Sequence, residues 1–308
     1  MFISPRRLIW SRSALLLAVA TLPAFSVFGE QRLAKCCVWR VVNAKAPCYL
    51  VGSIHALSEK DYPLPAPYEI ALNQSARIVF EFDPRRHREF ERKFEAAGKY
   101  PPGRDLRSSI DPKLLAWLRQ NLVTIKTDPS RRKQPRLAGF DGQLRYRPWW
   151  IAQHLVGPAT YTRDSAACGL DNYFLKCAKK SGKQIAGLES VDEHVAVMGG
   201  LSDRDSEFIL RDALKRGPGA ARELQRMREA WRRGDTAALW AADAQLRKQA
   251  PQIAARFVEE RNLKWLPRIE AELESGKPTA IVAGALHFAG PRSVIALLQK
   301  RGYQIKQL

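Results

Sequence analysis

Short apolar runs stand at the two ends of the chain, and amphipathic segments fill its middle. Cys37 to Val42 and Cys48 to Gly52 are β-rich runs on either side of Asn43-Ala44-Lys45, a spacing that predicts a hairpin. Arg77 to Phe82 alternates too little for an exposed strand and predicts a buried one. Lys183 to Leu188, Thr279 to Ala283 and Tyr303 to Lys306 read as further strands. Helices are predicted at Pro67 to Gln74, over residues 85 to 99, from Asp111-Pro112 to Leu122, to His154, from Gly169 to Lys180 and from Pro291 to Lys300. Val191 to Glu274 is helical almost throughout, broken at Gly199-Gly200, Gly217-Pro218-Gly219, Gly234 and Pro251. The polar, basic Thr127 to Gln134 reads as a loop or a seam. This order of elements predicts an α/β fold: a mixed central sheet flanked by helices, with a large helical insertion.

The first thirty residues follow a different rule. Arg6, Arg7 and Arg12 precede the short apolar run Ser13 to Leu22, and Val27 and Gly29 are small enough for a cleavage site. The pattern predicts a signal peptide over residues 1–29 and one domain over 30–308. Export to the periplasm or the exterior follows as an expectation. No second apolar segment reaches membrane-spanning length.

Charge and cysteines then narrow the setting. The chain holds 51 Lys and Arg against 31 Asp and Glu, a formal +20. Removing three arginines with the signal leaves 48 against 31, or +17. Such a surplus suits an anionic envelope surface or an acidic partner. The basic residues are dispersed and form no recognised nucleic-acid motif, so no specific nucleic-acid partner is expected. All five cysteines, Cys36, Cys37, Cys48, Cys168 and Cys177, lie beyond the signal. Export would permit disulfides, but five is odd and no Cys-x-x-Cys occurs.

Candidate chemistry gathers at strand ends. Leu50-Val51-Gly52-Ser53-Ile54-His55 and Val282-Ala283-Gly284-Ala285-Leu286-His287 both read as an apolar strand followed by Gly-x-x-His. The glycine permits a sharp turn or a close backbone approach. Each histidine then falls at a strand's carboxyl end, where open α/β sheets bind ligands. Paired imidazoles there suit metal ligation or acid–base work. Glu81 sits inside an otherwise buried run, so its carboxylate needs a cation, hydrogen bonds or a metal. Glu189 ends another strand. Arg261 and Asn262 lie on a late helix, pointing into the site or into solvent.

These residues together resemble the TraB/PrgY/GumN family, whose animal relatives include the TIKI proteins. The carriers are Tyr49 to His55, Val79 to Asp83, Gly187 to Ser190, Arg261-Asn262, Gly284 to Gly290 and Gly302 to Ile305. The resemblance implies a fold similar to erythromycin esterase and the ChaN-like proteins. It also implies a metal-dependent proteolytic site at His55, Glu81 and His287. The metal would be divalent, of the manganese, cobalt or zinc type, and the substrate a peptide or another acyl compound. Glu81 would be a ligand or the general base, with Glu189 or Arg261 steadying the oxyanion. Where many bacterial members carry Gln, this chain has His194, either a supporting residue of the site or an exposed helix residue. Two alternatives stay open. One is a metal-free esterase with His55 as base, and the other a non-catalytic protein that binds or sequesters a ligand.

Overall fold

The computed structural model describes residues 35–55, 57–122, 140–156, 168–217 and 219–308. The expected signal peptide (1–29) and the basic segment from Thr127 to Gln134 lie outside the described residues. Among the described residues six strands form one sheet: β1 (Val38–Val41), β2 (Cys48–Ser53), β3 (Arg77–Phe82), β4 (Gln184–Glu189), β5 (Thr279–Gly284) and β6 (Ile305–Gln307). Their order is β4-β3-β5-β2-β1-β6. The run from β4 to β2 is parallel, whereas β1 lies antiparallel to both β2 and β6. The sheet is therefore mixed, and the expected hairpin is its β1–β2 pair.

Burial explains why the inner strands read as unbroken apolar runs. Every residue of β2 is buried, as is every residue of β5 before Gly284. Helices cover both faces of a parallel sheet, so neither face can afford polar positions. The helices that matter for the site are α1 (Ala66–Gln74), α2 (His87–Ala97), α3 (Leu170–Lys180), α4 (Val191–Gly199), α5 (Asp203–Arg216), α6 (Glu259–Glu274) and α7 (Val294–Lys300).

The sheet core is joined by a second, aromatic cluster that includes Leu106, Leu118, Trp149, Trp150 and Leu210. That cluster belongs to the helical insertion between β3 and β5, and Phe94 and Ala97 of α2 pack against it while α2 lies against α4. None of the five cysteines is in a disulfide; Cys36, Cys37 and Cys48 are buried. Among the described residues no helix is long and apolar enough to cross a membrane.

Topology places the chemistry. The chain runs β2, α1, β3 and leaves a gap between these two strands. It fills the gap with β5 only after the long helical excursion. The carboxyl ends of β2, β5, β3 and β4 thus stand side by side on one edge of the sheet.

Candidate active site

Five elements bring side chains to that edge. The end of β3 carries Glu81, and β4 ends on Glu189. A capping box turns the chain at once into α4: the Ser190 hydroxyl accepts the Glu193 N–H, and the Glu193 carboxylate accepts the Ser190 N–H. This fixes His194 one turn into α4. After β5, a single 3-10 turn (Ala285–Phe288) carries His287. Helix α6 crosses beneath and supplies Arg261, Asn262 and Trp265; both residues of the Arg261–Asn262 pair are buried rather than solvated.

Of the two Gly-x-x-His glycines, Gly52 serves close approach and Gly284 borders the site. A Cβ on Gly284 would stand 3.4 Å from Glu81 Oε1 and 3.7 Å from His287 Cδ2. Gly284 N–H donates to Glu81 Oε1 at 2.8 Å. On Gly52 a Cβ would stand 3.0 Å from Cys37 Cβ and 3.3 Å from Ala285.

Arg261 is the centre of the cluster. Its Nη2 donates to Glu81 Oε2 and to Glu189 Oε1, both at 2.6 Å. Its Nε donates to Glu189 Oε2 at 3.3 Å, and its Nη1 donates to the Phe257 carbonyl at 3.4 Å and to His287 Nε2 at 3.2 Å. A guanidinium has five N–H groups, and all five have acceptors here. The guanidinium also lies over the Trp265 ring, 4.5 Å from its centroid.

Glu189 is equally saturated. Besides the arginine, Trp265 Nε1 donates to it at 2.9 Å, and His194 Nδ1 lies 2.6 Å from Oε1. Both Nη2 hydrogens of Arg261 are already given to carboxylates. The 3.3 Å approach of Nη2 to His194 Nδ1 is therefore not a third donation. His194 Nδ1 carries its own hydrogen and donates it to Glu189.

The tautomer of His287 can be deduced. The Asn262 amide nitrogen donates to two carbonyls, of His287 at 3.3 Å and of Arg292 at 3.0 Å. Its oxygen must then accept from His287 Nδ1–H, at 2.6 Å. The Nε2 lone pair consequently faces Arg261 and Glu81, with Glu81 Oε1 at 3.8 Å. Desolvation of the buried ring lowers its pKa to about 3, so it is neutral. Burial alone would push Glu81 up, but the Arg261 guanidinium outweighs it and holds it well below the usual carboxylate range. Glu189 is lowered in the same way, its burial outweighed by His194 and Arg261.

His55 stands apart. Its Nδ1 donates to Asp171 Oδ2 at 2.9 Å, in the first turn of α3, and its ring is exposed. The Asp171 carboxylate raises its pKa to about 9. Glu81 and Arg261 are within electrostatic reach of the same ring.

The structure thus joins Glu81, His287, Glu189 and Arg261 in one network and sets His55 beside it with a different partner. Among the described residues, Glu81, Glu189 and His194 form a set of three whose donor atoms all lie within 4.8 Å of one another. Their common centre is occupied by Arg261 Nη2, so as folded this set fits a guanidinium. A divalent metal would have to take its place. A small cavity of about 80 Å³ opens beside Glu189 and Arg261, next to Glu193, Arg256 and Lys264. A larger one of about 440 Å³, by Ser108, Arg204 and Phe208, contains none of these residues.

Sequence reasoning missed Asp171 and Trp265. Asp171 is an acid in a helix's first turn, a common placement that carries no signal of its own. Trp265 had a signal: it lies four residues after Arg261, on the same helix face.

A mixed α/β sheet with a buried acid–imidazole–guanidinium network at the carboxyl edge of its parallel strands is the class of protein that fold and site define. The TraB/PrgY/gumN family model matches residues 37–307, nearly the whole chain, and the chain belongs to that family. Comparison with curated proteins and with solved structures finds no match.

Proposed function

We propose that the protein is an exported hydrolase of peptide or other acyl bonds, reacting at the carboxyl edge of β2, β5 and β3. One observation carries this reading. An ionised Glu81 faces the neutral Nε2 of His287 at 3.8 Å, at a switch point of the sheet, with a second imidazole exposed at the neighbouring strand end.

The residues divide the work. Glu189 has four hydrogen bonds and clamps Arg261. Glu81 accepts one from Gly284 and one from Arg261, which leaves lone pairs to orient an attacking water. The fixed charge of Arg261 favours a developing oxyanion nearby. His55, kept protonated below about pH 9 by Asp171, gives a proton to the leaving group. Asp171 therefore favours an acid role for His55 at neutral pH over the base role expected of a metal-free esterase.

Export is supported by the basic and apolar pattern of residues 1–29, and contact with an anionic envelope surface by the positive surplus. The test is turnover of a panel of peptide and ester reporters. His55→Ala and Glu81→Gln should each lower it about 100-fold. Equal turnover by both variants and the native protein overturns the proposal. A divalent-metal hydrolase is the second reading, favoured by the three mutually close donors of Glu81, Glu189 and His194. It predicts activity that chelation abolishes and added manganese, cobalt or zinc restores.

A further inference from the structure

The three donors that would make a metal site are arranged around a cation that the chain itself supplies. The structure assigns Arg261 as the resident cation of the Glu81–Glu189–His194 cluster, and as the residue that excludes a divalent metal from it. The assignment deepens the reading of this centre as the reactive site, but its test needs no turnover.

Three features carry it. First, Nη2 sits among the three donor atoms at 2.6, 2.6 and 3.3 Å, the place an ion would take. Second, the guanidinium is complete: each N–H has an acceptor, and one face lies on Trp265. Displacing it leaves five hydrogen bonds unmade, three of them buried, and an unpaired buried charge to rehouse. Third, the atoms a metal would bind are already committed to hydrogen bonds. The nitrogen of His194 that faces the centre carries hydrogen and donates to Glu189. A metal needs that nitrogen's lone pair, so the ring would have to change tautomer as well. His287 Nε2, the other available lone pair, is also spent on Arg261.

Two carboxylates with one guanidinium leave the cluster one negative charge in excess. Without the arginine the excess is two, matched by a divalent ion. Removal of Arg261 should therefore convert an arginine-holding cluster into a metal-holding one.

The experiment is cobalt titration of the purified full-length protein, read by visible d–d absorption and by the shift of the melting temperature. The native protein should show neither a stoichiometric absorption nor a thermal shift. Arg261→Ala should bind about one cobalt ion, about 100-fold more tightly than the native protein, and be stabilised by it. Arg261→Lys keeps a cation in place and should bind none. Adding His194→Ala to Arg261→Ala should abolish the absorption. If Arg261→Ala does not fold, Arg261→Gln replaces it.

The inference is overturned if the native protein binds one equivalent of cobalt as tightly as the charge-removed variants, or if neither of those binds any. Failure here is separable from failure of the hydrolase reading. An active native protein that binds cobalt would sink the exclusion and keep the hydrolase. A protein that excludes cobalt and hydrolyses nothing would do the reverse.

Discussion

His287 shows how a single side chain acquires a defined state. Two carbonyls orient Asn262, Asn262 orients the imidazole, and only then does the Nε2 lone pair face Glu81 and Arg261. Asn262→Leu would leave a buried ring N–H and two carbonyls without partners. It should lower the unfolding free energy by about 3 kcal/mol, read from a denaturant titration. Asn262→Leu is thus expected to cost stability although Asn262 touches none of the carboxylates. Asp171 acts on His55 through charge instead. The pKa of His55 is raised in the folded state, so the pair's stabilisation is full below the unfolded value of about 6.5. It is lost as pH rises through about 9. In Asp171→Asn the His55 ring should titrate well below 9 by NMR. The gap in melting temperature between the two proteins should shrink as pH rises through about 9. A ring that titrates unchanged in Asp171→Asn would show that another group holds its proton.

Elements meet at the sheet edge with tolerances that their glycines report. A Cβ on Gly187 in β4 would fall 2.4 Å from the Asp83 nitrogen and 2.7 Å from the Phe82 carbonyl carbon. Both are backbone atoms, at the end of the neighbouring strand and one residue beyond it, so the backbones themselves must part. Gly187→Ala should cost about 3 kcal/mol. A Cβ on Gly284 meets only ordinary contacts, at 3.4 Å and 3.7 Å, but they are with Glu81 and His287. Gly284→Ala should keep stability within about 1 kcal/mol and lower turnover, since it intrudes on the site rather than on the sheet. The strands were legible because buried parallel strands leave continuous apolar runs, and the helix breaks because glycine and proline mark them. The break at Val258 between Pro251–Phe257 and α6 carries neither residue and was invisible. The last helix begins at Val294 rather than Pro291 because the Ser293 hydroxyl caps it. The last strand, read as Tyr303 to Lys306, is Ile305–Gln307; its edge is set by pairing with β1 across the whole chain. Long-range partners were the general obstacle. Strand ends pointed to Glu81, Glu189 and His287, but nothing local joins His55 to an aspartate 116 residues away.

At the scale of the whole molecule, charge and the buried centre respond differently to solvent. Even if each of the 31 acids paired with one base, 20 of the 51 bases would remain (51 − 31). Observed pairs such as Arg85–Asp83, Arg107–Asp105 and Arg216–Asp212 are local and partly exposed, so each contributes little. Mutual repulsion of the surplus should therefore outweigh them, and raising ionic strength from about 10 to about 150 mM should raise the melting temperature at pH 7. Lowering pH neutralises carboxylates and enlarges the surplus, so the gain from salt should be greater near pH 4. The centre adds a loss that salt does not recover. Glu81 and Glu189 have lowered pKa values, so their stabilisation is present above the unfolded value and disappears as pH falls through the folded ones. His287 works in the same direction: its folded pKa of about 3 lies below its unfolded value, so stability declines as pH falls from about 6.5. Buried charges are poorly screened. Acid unfolding at high salt should therefore report mainly the centre, and unfolding at low salt the centre and surface together. A melting temperature that fell with added salt at both pH values would mean that surface pairing, not repulsion, governs the charged exterior.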